Sequence, residues 1–167
     1  MGNHDDNGPH RPPPGSPPST PRFPDRLPEA SSAAARDRMK ATRRRGTKAE
    51  LLLCEALDRL GLSYAVDQAP IPGRRRRADV CFVEARVAVF VDGCFWHGCP
   101  QHGTSPKANQ DWWRAKIETN QRRDDDTNRA LTEAGWMVLR FWEHEAPDAA
   151  ARAVADVVAN RTPGGRA

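Results

Sequence analysis

ADVCFVEARVAVFVDG, residues 78–93, is the stretch that decides the fold. Two β-rich runs, ADVCFV and RVAVFVDG, stand on either side of a short break at 84–86. Branched and aromatic side chains suit a pleated surface, and runs this apolar predict strands covered on both faces. The break predicts a tight hairpin over Glu84–Arg86. Upstream, TKAELLLCEALDRLG (47–61) carries Ala49, Leu52, Leu53, Ala56, Leu57 and Leu60 at helical spacing. Thr47 and Glu50 have the spacing of a capping box, and Gly61 is a natural stop.

Downstream, a polar helix is predicted from Gln110 to Ala134, closed by Gly135, and WMVLRFW (136–142) reads as another strand. PDAAARAVADVVAN (147–160) reads as an amphipathic last helix with Ala150, Val154, Val157 and Val158 on its inner face. The order helix, hairpin, helix, strand, helix predicts a mixed α/β sandwich around a small sheet.

The 167 residues are enough for one domain plus tails. Nine of the fifteen prolines fall within the first 28 residues, so residues 1–35 are expected to be a disordered extension. The domain is expected over 36–160, with a flexible tail over 161–167. The start MGNHDDNGPHRPPPGSPP has no basic-then-apolar secretion signal, and no run is long enough to span a membrane. An intracellular protein with reduced cysteines follows as the expectation.

Residues 1–49 hold ten Lys and Arg against five Asp and Glu, whereas residues 50–167 hold sixteen against seventeen. The excess positive charge is thus N-terminal, with a local GRRRR run at 73–77. Both suit an anionic polymer, although solvated basic tails are common.

VDGCFWHGCPQHG (91–103) packs two cysteines, two histidines and two aromatics into thirteen residues. Zinc takes four tetrahedral ligands, often Cys and His in close pairs. Cys94, Cys99 and His102 offer three, and His144 in WEHE, past a strand end, is the best fourth. The alternative is a pair of free thiols with surface histidines. His97 is then left over and can act as a base or acid near neutral pH, or simply hold the loop by a hydrogen bond.

Asp79, twelve residues before Val91, can reach the same sheet edge. With the Val91 carbonyl it could hold Mg²⁺, which prefers oxygen ligands; equally it could cap its strand. Glu50 is explained by the capping box but can share the cleft, where Asp92 competes with it. Cys54 and Cys81 read as buried small apolar residues, and Trp136 and Trp142 as core. Phe95, Trp96 and the pair Trp112–Trp113 stand beside the site, where aromatics can bury a zinc loop or stack on bases.

Together MKATRRRGTKAE, PGRRRRADV, VFVDGCFWHGCPQHG, WWRAKIETNQRRD and GWMVLRFWEHE resemble the very-short-patch-repair (Vsr) endonucleases, which nick DNA at thymine–guanine mismatches. The resemblance covers about residues 39–145. It implies an α/β, restriction-endonuclease-like three-layer sandwich with a small mixed central sheet, a structural zinc site and catalytic Mg²⁺. Carried over, Asp79 is the metal-binding aspartate, Val91 offers its carbonyl to the metal, His97 is the catalytic histidine, and Glu50 contacts metal-bound water. Cys94, Cys99, His102 and His144 fill the zinc positions, and Phe95, Trp96 and Trp113 match aromatics that intercalate beside the mismatch.

Lys40, Arg43, Arg44, Arg45 and Lys116 are the residues expected on the DNA backbone. The resemblance implies a monomer acting on duplex DNA with a T·G mismatch in the cytoplasm, near the nucleoid. A functional link to a cytosine-5 DNA methyltransferase and to mismatch-repair proteins goes with it. The rival readings are a restriction-like nicking nuclease with another DNA target and a zinc-stabilised DNA-binding module without catalysis.

Overall fold

The computed structural model describes residues 46–73, 75–104 and 106–162. Lys40, Arg43, Arg44 and Arg45, the extension 1–35 and most of the tail lie outside the described residues. The elements run α1 (Lys48–Arg59), β1 (Ala65–Gln68), β2 (Ala78–Phe82), β3 (Val87–Asp92), α2 (Gln110–Glu133), β4 (Met137–Trp142) and α3 (Pro147–Arg161). The strands form one sheet in the order β1-β2-β3-β4. The first two pairings are antiparallel, and β3 pairs with β4 in parallel from Val87↔Met137 to Asp92↔Trp142. A mixed α/β fold on a small mixed sheet is therefore observed.

The hairpin lies where the apolar pattern breaks, with Arg86 in the left-handed region and its N–H donating to the Val83 carbonyl. Central position explains the unbroken apolar runs: Val80, Cys81, Val87, Ala88 and Val89 are all buried. Alternate side chains then serve two separate cores. On one face Val80, Phe82, Val87 and Val89 meet Leu53, Ala56 and Leu57 of α1 and Ala150, Ala151 and Val154 of α3. On the other, Ala78, Ala88 and Phe90 meet Leu131 of α2. Helices thus cover both faces.

Thr47 caps α1 and accepts from the Glu50 N–H, while Glu50 returns to the Gly46 N–H and the Thr47 hydroxyl at 2.8 and 2.9 Å. The box expected from sequence is formed, extended one residue outward. Leu52 and Leu60, although in the helical pattern, lie at its margin and are exposed. Strand β1 had no sequence expectation. Its AVDQ is short and polar, Asp67 takes φ +48°, and only pairing to β2 at the sheet edge makes it a strand.

Two arginines of the GRRRR run hold the fold instead of standing free. Arg77 pairs with Asp67 at 2.6 Å, and Arg76 pairs with Asp126 of α2 at 2.9 Å while also donating to the Arg123 carbonyl and the Thr127 hydroxyl. Among the described residues, no helix is long and apolar enough to cross a membrane.

Leu57 is fully buried between α1, α3 and the sheet. Leu57→Ala is expected to lower the unfolding free energy by about 3 kcal/mol, read as a lower denaturant midpoint at unchanged slope.

Candidate active site and metal centre

Parallel pairing of β3 and β4 brings both C-terminal ends to one edge of the sheet. β3 ends at Asp92 and runs into the loop 93–103, and β4 ends at Trp142 and runs into Glu143–Glu145. The ladder extends one bond further, from the Glu143 N–H to the Asp92 carbonyl at 2.9 Å. Glu143 then accepts the Cys94 N–H at 2.7 Å. Glu145 closes its turn reciprocally with Trp142, at 2.7 and 2.9 Å. His144 is carried between these two anchors.

Cys94, Cys99, His102 and His144 consequently converge, each offering one ligand atom within 4.8 Å of the others. The Cys94 and Cys99 sulfurs stand 3.1 and 3.8 Å from His144 Nδ1. Tetrahedral zinc with bonds of about 2.3 Å to sulfur and about 2.0–2.1 Å to nitrogen needs such atoms roughly 3.5 Å apart. The set therefore fits zinc in ligand type, number and spacing.

The two thiols are not equivalent. Desolvation pushes Cys94 up to about 11, and the adjoining Cys99 and Glu143 add to the rise. Desolvation also opposes a thiolate at Cys99, but the backbone N–H groups of His102 and Gln101 outweigh it and hold that thiol below its ordinary value. Metal binding requires both thiols to be deprotonated, and the backbone donors at Cys99 favour its thiolate form whereas burial opposes that of Cys94.

The loop is pinned to α2 on its other side. Asn120 donates to the Trp96 carbonyl at 2.7 Å and Gln121 to the His97 carbonyl at 3.1 Å. Gly98, at φ +69°, sits so close to α2 that a Cβ there would meet Ile117 at 2.8 Å and Gln121 at 2.9 Å. Only glycine permits both the turn and the contact. Phe95 packs edge to face on both Trp96 and Trp113, and the two tryptophans meet at a tilt, with centroids 5.0–5.8 Å apart. Trp113 is buried beneath, whereas Phe95 and Trp96 are half-buried. Lys116 follows on the same helix.

His97 belongs to a separate cluster, with Asp92 and Asp124. Its Nδ1 lies 2.6 Å from Asp124 Oδ2 on α2 and 3.7 Å from Asp92 Oδ1. Desolvation works against the imidazolium, yet the Asp124 hydrogen bond and the Asp92 charge prevail over it and over Arg140, so the His97 pKa is raised. With Nδ1 held by a carboxylate, Nε2 is left for chemistry.

Asp79 belongs to neither cluster. It lies near the start of β2, and its Oδ2 accepts the Val91 N–H at 2.7 Å. Burial pushes its carboxyl up to about 6, and the charges of Glu50 and Asp92 push the same way against the Val91 amide and Arg140. A desolvated carboxylate in the field of two others is a fit place for a hard divalent cation, which would relieve the repulsion. Both Glu50 oxygens are engaged at the helix cap, so the capping role read from sequence is real, and any contact with metal-bound water is additional to it.

Sequence reading missed Asp124 and Arg140. Arg140, on β4, donates to both oxygens of Asp92 at 2.6 and 2.7 Å and reaches Asp124 at 3.0 Å. A signal for Asp124 existed: three consecutive aspartates inside a helix, Asp124–Asp126, run against helix propensity and call for partners. Asp124 takes His97 and Asp126 takes Arg76.

With this geometry in place, similarity becomes informative. The profile of the family described as DNA mismatch endonuclease Vsr matches residues 30–102. The chain is 46% identical over 122 residues to the type II nicking enzyme V.NaeI of Lentzea aerocolonigenes, covering 72% of this chain and 74% of that one. It is 43% identical over 109 residues to V.NmeDIP of Neisseria meningitidis serogroup C, covering 64% and 72%. With DNA mismatch endonuclease Vsr of Escherichia coli K12 it shares 36% over 107 residues, covering 63% and 66%. The class is therefore that of DNA endonucleases. More narrowly, the chain belongs to the Vsr family.

The raised pKa of Asp79 carries a stability prediction for the metal-free protein. Unfolded, the group titrates near 3.8; folded, near 6, so the native state holds the extra proton in that window and loses stability as pH rises through it. Asp79→Asn keeps an acceptor for the Val91 N–H without the charge. It is expected to be more stable than the parent at pH 7 by up to roughly 3 kcal/mol, a gain that vanishes below the ordinary carboxylate value. Denaturant melts in chelator at pH 7 and pH 3.5 check this, and a loss of stability at pH 7 contradicts it.

Proposed function

We propose that this protein nicks one strand of duplex DNA on the 5′ side of the thymine of a T·G mismatch, by Mg²⁺-dependent phosphodiester hydrolysis, and so initiates very short patch repair. The observation that carries the reading is the carboxylate-held imidazole of His97 at the same sheet edge as the desolvated carboxyl of Asp79. A binding module without catalysis has no use for either arrangement.

Asp79 and the Val91 carbonyl would hold Mg²⁺, with Glu50 beside them. Mg²⁺ held there would supply positive charge to the scissile phosphate and the departing 3′ oxygen. His97 Nε2 takes the proton of the attacking water; the new bond forms between water oxygen and phosphorus as the bond to the 3′ oxygen breaks. Asp124 orients the ring and stabilises the imidazolium that results.

Cys94, Cys99, His102 and His144 would hold zinc, which would brace the loop. Phe95 and Trp96 enter the duplex, with Trp113 as the floor they pack on. Unstacking costs a few kcal/mol per step and less at a mismatch, which favours T·G without a long sequence readout. The domain over 36–160 is the nuclease, and Lys116 together with the N-terminal arginines Arg43, Arg44 and Arg45 and with Lys40 contacts the phosphates. The link to a cytosine-5 methyltransferase is the chemical one: deamination of its product creates a T·G pair.

A second reading has its own support. V.NaeI and V.NmeDIP, of higher identity than the Escherichia coli relative, are named type II nicking enzymes, names that specify nicking but no mismatch, so nicking at another DNA target is the second reading. One duplex prepared with T·G, T·A and C·G at the same position separates the readings by relative nicking rate.

Asp79→Ala and His97→Ala are each expected to lower single-strand nicking of the T·G duplex at least about 10²-fold with zinc content unchanged. Normal nicking by either sinks the assignment. His144→Ala is expected to lose bound zinc on chelator challenge and to loosen the loop, measured by metal analysis and thermal melting.

Because His97 must be neutral to accept a proton, nicking should rise with pH through its raised pKa. In Asp124→Asn the midpoint moves down, since the partner that favours the imidazolium is gone, and the plateau rate falls.

A further inference from the structure

Asp92, His97 and Asp124 offer ligand atoms within 4.8 Å of one another, a donor set that by composition could hold a divalent cation of its own. Its oxygens are already taken. Arg140 Nε and Nη2 donate to the two oxygens of Asp92 at 2.7 and 2.6 Å. Nη2 also reaches Asp124 Oδ1 at 3.0 Å, and Asp124 Oδ2 is held by His97 Nδ1 at 2.6 Å. Every carboxylate oxygen of the pair thus has a nitrogen partner.

The guanidinium is itself fixed on further sides. Nη1 donates to Asn128 at 3.1 Å, and the group lies over the Phe90 ring at 4.8 Å. Its side chain is 19% exposed, against 11% for Asp92 and 22% for Asp124. An arginine keeps its charge at any pH the protein tolerates, and its planar fork binds two oxygens in a set direction.

We propose that Arg140 is a positioning residue, a built-in cation that fills the Asp92–His97–Asp124 cluster in place of a metal and sets the Asp124 carboxylate against His97. The proposal rests on the reading of His97 as the proton acceptor. Two carboxylates facing one imidazole would repel each other, and Asp124 would have no reason to keep one oxygen on Nδ1. The guanidinium removes that repulsion without exchanging with solvent, which leaves the Asp79 side as the place for divalent metal.

The zinc-loaded protein is titrated with Mn²⁺, and bound ion is counted by electron paramagnetic resonance; steady-state nicking of the T·G duplex is measured with Mg²⁺. The parent is expected to bind one Mn²⁺ per chain, with a count unchanged in Asp92→Asn. Arg140→Met is expected to bind a second Mn²⁺ and to lose about 10²-fold in kcat, the scale of a misplaced catalytic group, with KM within about 3-fold. Arg140→Lys, which keeps the charge without the fork, should keep the parent count and recover part of the lost kcat.

Two Mn²⁺ per parent chain, falling to one in Asp92→Asn, overturns the proposal. So does unchanged kcat in Arg140→Met, or a loss confined to KM, which would make Arg140 a duplex contact. If Arg140→Met does not fold, the parent and Asp92→Asn counts and the kcat of Arg140→Lys decide in its place; a kcat of Arg140→Lys equal to the parent's counts against the proposal. A parent that nicks no duplex refutes the proposed function, while the Mn²⁺ counts still judge the occupancy of the cluster.

Discussion

The parallel pairing of β3 and β4 is the constraint on which the rest depends. Six register pairs, Val87↔Met137 through Asp92↔Trp142, bind strands 45 or more residues apart in sequence. Parallel partners end at the same edge, so the loop after Asp92 and the turn after Trp142 must emerge side by side. From that one fact follow the meeting of Cys94 and Cys99 with His144, the clasp of Glu143 on the Cys94 N–H, and the reach of Arg140 to Asp92. An antiparallel β4 would deliver His144 to the opposite end.

The long connection α2 is what makes that pairing possible, since parallel strands need a crossover. It is also the second wall of the site. Asn120 and Gln121 hold the aromatic loop, Asp124 holds His97, and Asp126 with Thr127 holds Arg76. A polar helix in a small protein is usually a solvated surface element. Here its polarity is spent on tying a loop, a histidine and an arginine to the sheet.

Charge is arranged in opposition across this edge. Asp79 sits desolvated near Glu50 and Asp92, with only the Val91 amide and the distant pull of Arg140 easing it. Asp92 and Asp124, by contrast, are fully matched by Arg140 and His97. One carboxylate site is left poised for a cation and the adjoining one is closed by a guanidinium. Buried ionisable groups so unequally treated mark a functional edge rather than a stabilising one.

The hairpin, the three helices and the fourth strand were all legible, because apolar periodicity and the caps at Thr47 and Gly135 act locally. The Cys94–His97–Cys99–His102 loop was legible by residue type, and His144 by its place after a strand. Strand β1 was not, since AVDQ has no intrinsic pattern and is a strand only by pairing with β2. Nor was the use of Arg76 and Arg77 as ties, or of Trp113 as a buried floor, because a basic run or an aromatic reads alike in solvent and in contact. Asp124 and Arg140 were invisible for a stronger reason. Their roles are defined by partners 27 and 48 positions away, and a hydrogen bond at that separation depends on the direction in which two elements cross. Sequence by itself determined which chemistries were present, because side-chain type is local; tertiary structure alone decided which carboxylate faces the histidine, which faces the arginine and which is left open, because desolvation and pairing are properties of the assembled edge.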